Sequence, residues 1–215
     1  MKVQKGFTLI EISIVLVIVG LILGGVLKGQ ALIDSARVRS VINDINGIRA
    51  AWYGFQDRFH ALPGDYPDAS ATIHADANDG NGNGEIDTTN EIAGVWHHLA
   101  EAGFISGDFD TTASGVTTIE GTECSADSCP QNPYYGFYKI ASAQKAADAG
   151  NRSIEFFTGD KIPSSVLFQI DQKLDDGKPG SGLFRVHADF SGDCVENDQW
   201  KVIEPYRDCA AVLLE

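Results

Sequence analysis

Phe7 to Leu27 reads FTLIEISIVLVIVGLILGGVL, 21 residues carrying a single charge, Glu11, behind the short basic stretch MKVQKG of Met1 to Gly6. A helix of that length crosses the ~30 Å hydrocarbon core of a bilayer. A secretory signal peptide and a plain single-pass anchor, with Lys2 and Lys5 held inside by the positive-inside rule, both begin this way. The apolar segment is long for a signal peptide, and Leu23-Gly24-Gly25-Val26-Leu27-Lys28-Gly29 offers no A-x-A arrangement for its removal. Glu11 is the sharper signal, because a carboxylate inside an apolar helix is costly in lipid and needs a partner.

The residues around it, Lys5-Gly6-Phe7-Thr8-Leu9-Ile10-Glu11, closely resemble the processing motif of type IV prepilins and of the pseudopilins of type II secretion. The resemblance implies that a prepilin peptidase on the cytoplasmic side cuts after Gly6 and methylates the new N-terminal residue, Phe7. The apolar helix then stays on the mature protein. It implies an inner-membrane precursor, single-pass with its N-terminus cytoplasmic, and a periplasmic or extracellular filament. Its partners would be like or sibling subunits, an assembly ATPase and a platform protein.

Cutting there leaves Glu11 as the fifth mature residue, a little over one helical turn from the freed amine. In the family this glutamate is thought to meet the N-terminal amine of a neighbouring subunit. Each charge is costly in a dry interior, with several kcal/mol at stake if one partner is removed. Glu11 is thus an assembly residue rather than a catalyst. One position departs from the pattern: where many pilins carry a helix-bending proline near the twenty-second mature residue, this chain has Lys28. Gly20, Gly24, Gly25 and Gly29, each about 1 kcal/mol worse than Ala in a helix, are left to loosen the segment.

Beyond Lys28 the apolar residues Val38, Val41, Ile42, Ile45, Ile48, Trp52, Phe55 and Phe59 recur at spacings of three and four, one stripe on a continuing helix. Leu62-Pro63-Gly64-Asp65 and Pro67 end it. The chain therefore divides into a leader (1–6), a membrane and polymerisation helix (7–28), an amphipathic spine (29–61) and a globular head (62–215). In the head, Tyr134 to Ile140, Ser153 to Phe157 and Leu183 to Phe190 are rich in aromatic and β-branched residues and read as strands. Pro163 to Leu174 reads as a helix, with Val166, Leu167, Ile170 and Leu174 on one face, and Glu91 to Gly103 as another. The fold class is α+β: a long N-terminal spine helix packed on an antiparallel sheet.

With 16 basic against 30 acidic residues the net charge is −14, which disfavours binding to phosphate backbones and anionic lipid headgroups. Nucleic acid is not an expected partner. The four cysteines, Cys124, Cys129, Cys194 and Cys209, lack metal-ligand spacing and point to disulfides in an oxidising compartment. Their separations suggest Cys124 with Cys129 and Cys194 with Cys209, among three possible connectivities.

Asp79-Gly80-Asn81-Gly82-Asn83-Gly84-Glu85-Ile86-Asp87-Thr88-Thr89-Asn90 places oxygen-bearing side chains at loop positions 1, 3, 5, 9 and 12, glycine at 6 and isoleucine at 8. That is close to the EF-hand pattern, and it resembles the calcium loops of dockerin modules. On this reading Asp79, Asn81, Asn83 and Asp87 offer side chains to a structural Ca²⁺ and Glu85 its carbonyl. Asn90 stands where a bidentate glutamate is usual, with Glu91 one residue late. An Asn/Gly-rich surface turn is the competing reading. His97 and His98 are adjacent on a helix and cannot face one ion together. The turns Asp175-Asp176-Gly177 and Asp189 to Asp193 are less specific candidates for a second ion.

There is no nucleophile elbow, phosphate-cradling glycine loop or zinc motif, so an enzyme is not expected. The leading expectation is a structural subunit that polymerises through its N-terminal helix, in a pilus or a secretion pseudopilus. The alternative is a membrane-anchored calcium-binding module or sensor that keeps Met1 to Gly6 and never polymerises.

Overall fold

A computed structural model describes residues 8–111, 124–143, 153–187 and 190–214, in two units, Met1–Arg39 and Ser40–Glu215. Helix α1 (Leu9–Phe59) runs for 51 residues and carries the apolar run without a break through Gly20, Gly24, Gly25 and Gly29. Its start is fixed locally. Thr8 stands just outside the helix, and the Glu11 carboxylate turns back to accept from the Thr8 N–H at 2.7 Å and from its hydroxyl at 2.9 Å. The Glu11 N–H in turn reaches the Thr8 hydroxyl at 3.3 Å, the reciprocal pattern of a capping box. At the other end His60 adopts a left-handed conformation, φ 53°, a common way of stopping a helix.

The second unit takes up the part of α1 from Ser40 onward. Val41, Ile45, Trp52 and Phe55 are buried, as the stripe predicts, and Ala51, outside the stripe, is buried as well. After a short helix α2 (Ala69–Thr72) comes α3 (Thr89–Glu101), opened by a capping box between Thr88 and Glu91 and buried continuously from Glu91 to Leu99. Strands β1 (Lys139–Ala143) and β2 (Ser153–Phe157) follow, then α4 (Ser164–Leu174), β3 (Phe184–Val186), a single turn α5 (Ser191–Cys194), the small ribbon β4 (Val195–Glu196) and β5 (Gln199–Trp200), and finally β6 (Ala211–Leu214).

The main sheet has the order β1-β2-β6-β3, every described pairing antiparallel. Trp52 of α1 meets Phe156 of β2 edge-on, ring centroids 5.3 Å apart, so the second half of α1 lies against the sheet. This is the α+β architecture of a helix on an antiparallel sheet.

Three details differ from the sequence reading. The first strand begins at Lys139, not Tyr134, because Asn132 captures the preceding segment in a turn. Its Oδ1 accepts from the N–H groups of Tyr134 and Gly136, and its amide donates to the carbonyls of Thr158 and Asp160. Of the expected strand Leu183 to Phe190, the described residues form one at Phe184–Val186, and residues 188 and 189, the latter also the first of the Asp189 to Asp193 turn, lie outside the described residues. Finally, β6, which no periodicity announced, lies inside the sheet, paired on both sides with β2 and β3.

Candidate functional site

From Leu9 to Leu27 α1 presents apolar surface. Every large aliphatic side chain from Leu9 to Leu27 is at least 44% exposed. Water does not tolerate a continuous apolar cylinder of this kind, so lipid or other apolar helices must cover it. The segment is long and apolar enough to cross a membrane. Glu11, its one charge, is satisfied within its own chain by Thr8. Gly6 and Phe7, the expected processing residues, lie outside the described residues.

In the head, the Asp79–Asn90 loop is organised around two carboxylates, Asp65, which the pattern of oxygens did not single out, and Glu91, the glutamate one residue late for the closing position. Asp65 is buried, and its carboxylate accepts from the N–H groups of Gly82 at 2.6 Å, Asn83 at 3.2 Å and Gly84 at 2.7 Å. Glu91 accepts from Asn81 through one oxygen and from Asp87 and Thr88 through the other. The glycines make this wrapping possible. A side chain at Gly80 would run into the Asp65 backbone at 2.2 Å, and Gly84 sits at φ 82°.

The side chains of Asp79, Asn81 and Asn83 already have local partners. Ser70 donates its N–H and its hydroxyl to Asp79, holding that carboxyl below its ordinary range. Asn81 and Asn83 each accept from the N–H two residues on, the Asx-turn pattern. Glu85, Asp87 and Asn90 stand in the same loop and the first turn of α3. A cation-holding form requires the Asp79 side chain to leave Ser70 and the asparagine oxygens to turn inward.

His98 is fully buried under this loop. Its Nδ1 accepts from the Gly64 N–H at 2.9 Å and its Nε2 lies 2.8 Å from the Asn78 carbonyl, which assigns the neutral ring with its proton on Nε2. Burial pushes its pKa down to about 4. His98 is thus a structural strut. His97 faces elsewhere, as the adjacent spacing requires.

Both cysteine pairs suggested by spacing are bonded, Cys124 to Cys129 and Cys194 to Cys209. The second anchors the approach to β6, where Ile162 and Cys209 exchange backbone hydrogen bonds. Carboxylate oxygens of Asp171, Asp175 and Asp176 lie within 4.8 Å of one another. Each accepts two hydrogen bonds, among them that from Trp200 Nε1 to Asp171 at 2.7 Å. These acids organise a turn. Burial raises the Asp171 pKa to about 6.

An apolar N-terminal helix opened by Thr8 and Glu11 precedes a disulfide-bonded α+β unit. Residues 1–27 match the family described as the prokaryotic N-terminal methylation motif, the hallmark of type IV pilin and pseudopilin precursors. No curated protein and no solved structure matches the chain. The motif points to a structural pilin-type protein, and the helix is consistent with an inner-membrane precursor.

Proposed function

We propose that this chain is a structural subunit of a type IV pilus or pseudopilus. Prepilin peptidase cuts it after Gly6 and methylates Phe7, and the mature chain polymerises through α1 with pilin-like partners. The observation that carries the reading is the uninterrupted exposure of α1 from Leu9 to Leu27, within the residues that match the methylation motif. Packing such helices together removes their apolar surface from water once they leave the bilayer. The Glu11 carboxylate then has a second possible donor, the Phe7 amine of a neighbour, competing with Thr8. The head stays outside the helical core as the acidic surface of the filament.

Intact-mass and N-terminal peptide analysis of protein from cells carrying a matching prepilin peptidase tests the first step. Loss of Met1 to Gly6 with a methylated Phe7 supports the proposal. Retention of Met1 to Gly6 transfers support to the anchored, non-polymerising module. Ca²⁺ at the Asp79–Asn90 loop is a separate proposal, resting on the spacing of its oxygen side chains, and its role would be to stiffen the approach to α3.

A further inference from the structure

A second group of chemistry-bearing residues meets on the other side of α3. His97 and Glu101, four residues apart and so on one helix face, border an open cavity together with His74 and Asp76 from the segment after α2, Asp108 beyond α3, and Asp127 from within the Cys124–Cys129 loop. No lysine or arginine lines it among the described residues. Histidine nitrogen beside carboxylate oxygen is the donor set that suits zinc and its neighbours among divalent ions.

The acids alone would signify little. The independent observation is His97 itself, only 7% exposed and yet bordering the cavity, whose Nδ1 is closed off from solvent without a hydrogen-bond partner. A buried polar nitrogen left unpaired costs free energy, which a ligand recovers once the ring turns that nitrogen to the cavity. Its ring lies 6.0 Å, centroid to centroid, from that of His74. Two imidazoles that share a tetrahedral ion through bonds of about 2.0–2.1 Å stand about 5 Å apart by this measure, so an approach of about 1 Å suffices. His74 can make that approach, its side chain being 46% exposed. Asp76 Oδ2 already lies 3.9 Å from His74 Nδ1. That nitrogen also accepts from the Asp76 N–H at 3.3 Å, which ties the His74 ring to its own turn beside the cavity.

We propose that this cavity is a zinc-class divalent cation site, with His74 and His97 as its nitrogen ligands and Glu101 as the nearest carboxylate on the same helix. The ion would tie α3 to the segment after α2 and lies apart from the Asp79–Asn90 loop in its ligands.

The test is a calorimetric titration of the full chain in detergent, disulfides intact, with Zn²⁺, paired with visible absorption on loading Co²⁺. Saturable one-to-one binding is expected, weakened at least about 10-fold by His74→Ala and by His97→Phe, with cobalt bands that the variants lose. His97→Phe keeps a ring in the buried position. Should it fail to fold, His74→Ala, altering an exposed side chain, carries the test. Absence of saturable binding at millimolar Zn²⁺, binding unchanged in His74→Ala, or full displacement of Zn²⁺ by millimolar Ca²⁺ overturns the proposal.

Discussion

The Tyr138 hydroxyl donates a 3.0 Å hydrogen bond to Asp44 Oδ2, tying the residue that leads into β1 to the second half of α1. Tyr138 is buried and Asp44 half-buried. Burial raises the carboxyl's pKa, and the tyrosine offsets part of that penalty. Tyr138→Phe is therefore expected to cost about 1–3 kcal/mol, because it strands a partly desolvated acceptor, whereas removing both polar groups in Tyr138→Phe/Asp44→Leu recovers part of the loss. A double-mutant cycle by denaturant unfolding measures the difference. Losses that simply add would show that the bond couples nothing.

Glu11 has a partner within its own chain, and this separates two ways in which its loss can act. If the carboxylate matters only as the cap of α1, Thr8→Ala and Glu11→Ala should be equally harmful, each at about 0.5–2 kcal/mol of helix stability. If it pairs with the amine of a neighbouring Phe7, Thr8→Ala still enters filaments while Glu11→Ala is cleaved but fails to assemble. The second pattern is expected. The readout is the ratio of processed subunit in sheared filaments to that left in the membrane fraction, and equal defects would refute inter-subunit pairing.

Features with a short period were legible in the sequence. The face of α1 containing Val41, Ile45, Trp52 and Phe55 repeats every three or four residues, and the motif from Lys5 to Glu11 is contiguous. Features made by distant partners were not. Ala211–Leu214 has only four residues and one β-branched side chain, and its place inside the sheet depends on β2 and β3, both far away in the chain. Tyr134 to Phe137 has strand composition, yet one side chain, Asn132, outcompetes the ladder for its amides. Asp65 read only as part of a helix stop, since nothing local reveals that three amides some 17 to 19 residues on converge on it. The neighbourhood of His74 and His97 was hidden for the same reason.

Asp171 gives the head a specific pH response. Its carboxyl is fully buried and titrates at about 6 in the fold, against 3.8 when unperturbed. Between those values the folded chain holds a proton that the unfolded chain has released. Its contribution is therefore fully present below about pH 3.8 and is lost as pH rises towards about 6. The amount is on the order of 3 kcal/mol, at about 1.4 kcal/mol per unit. Asp171→Asn cannot ionise, so the difference in unfolding free energy between variant and wild type should shift by that order across the window. A constant offset at every pH would show that Asp171 does not titrate there.

The loop from Asp79 to Asn90 can be divided experimentally between its two sets of carboxylates. Asp65 and Glu91 hold backbone amides, so Asp65→Ala should destabilise the head with or without calcium, by several kcal/mol, and open the loop to protease. Asp79 is held chiefly by Ser70 at the loop's rim. Asp79→Ala should leave the calcium-free protein nearly unchanged but abolish any stabilisation by calcium. For a bound ion that stabilisation reaches about 2.7 kcal/mol at a hundredfold excess over Kd. Thermal unfolding in chelator and in millimolar Ca²⁺ reads both effects. The His97→Phe variant should respond to calcium as wild type does, because its ring borders the cavity on the other side of α3. A wild-type midpoint that millimolar Ca²⁺ leaves unmoved would remove calcium from the loop and leave Asp65 and Glu91 as its whole organising principle.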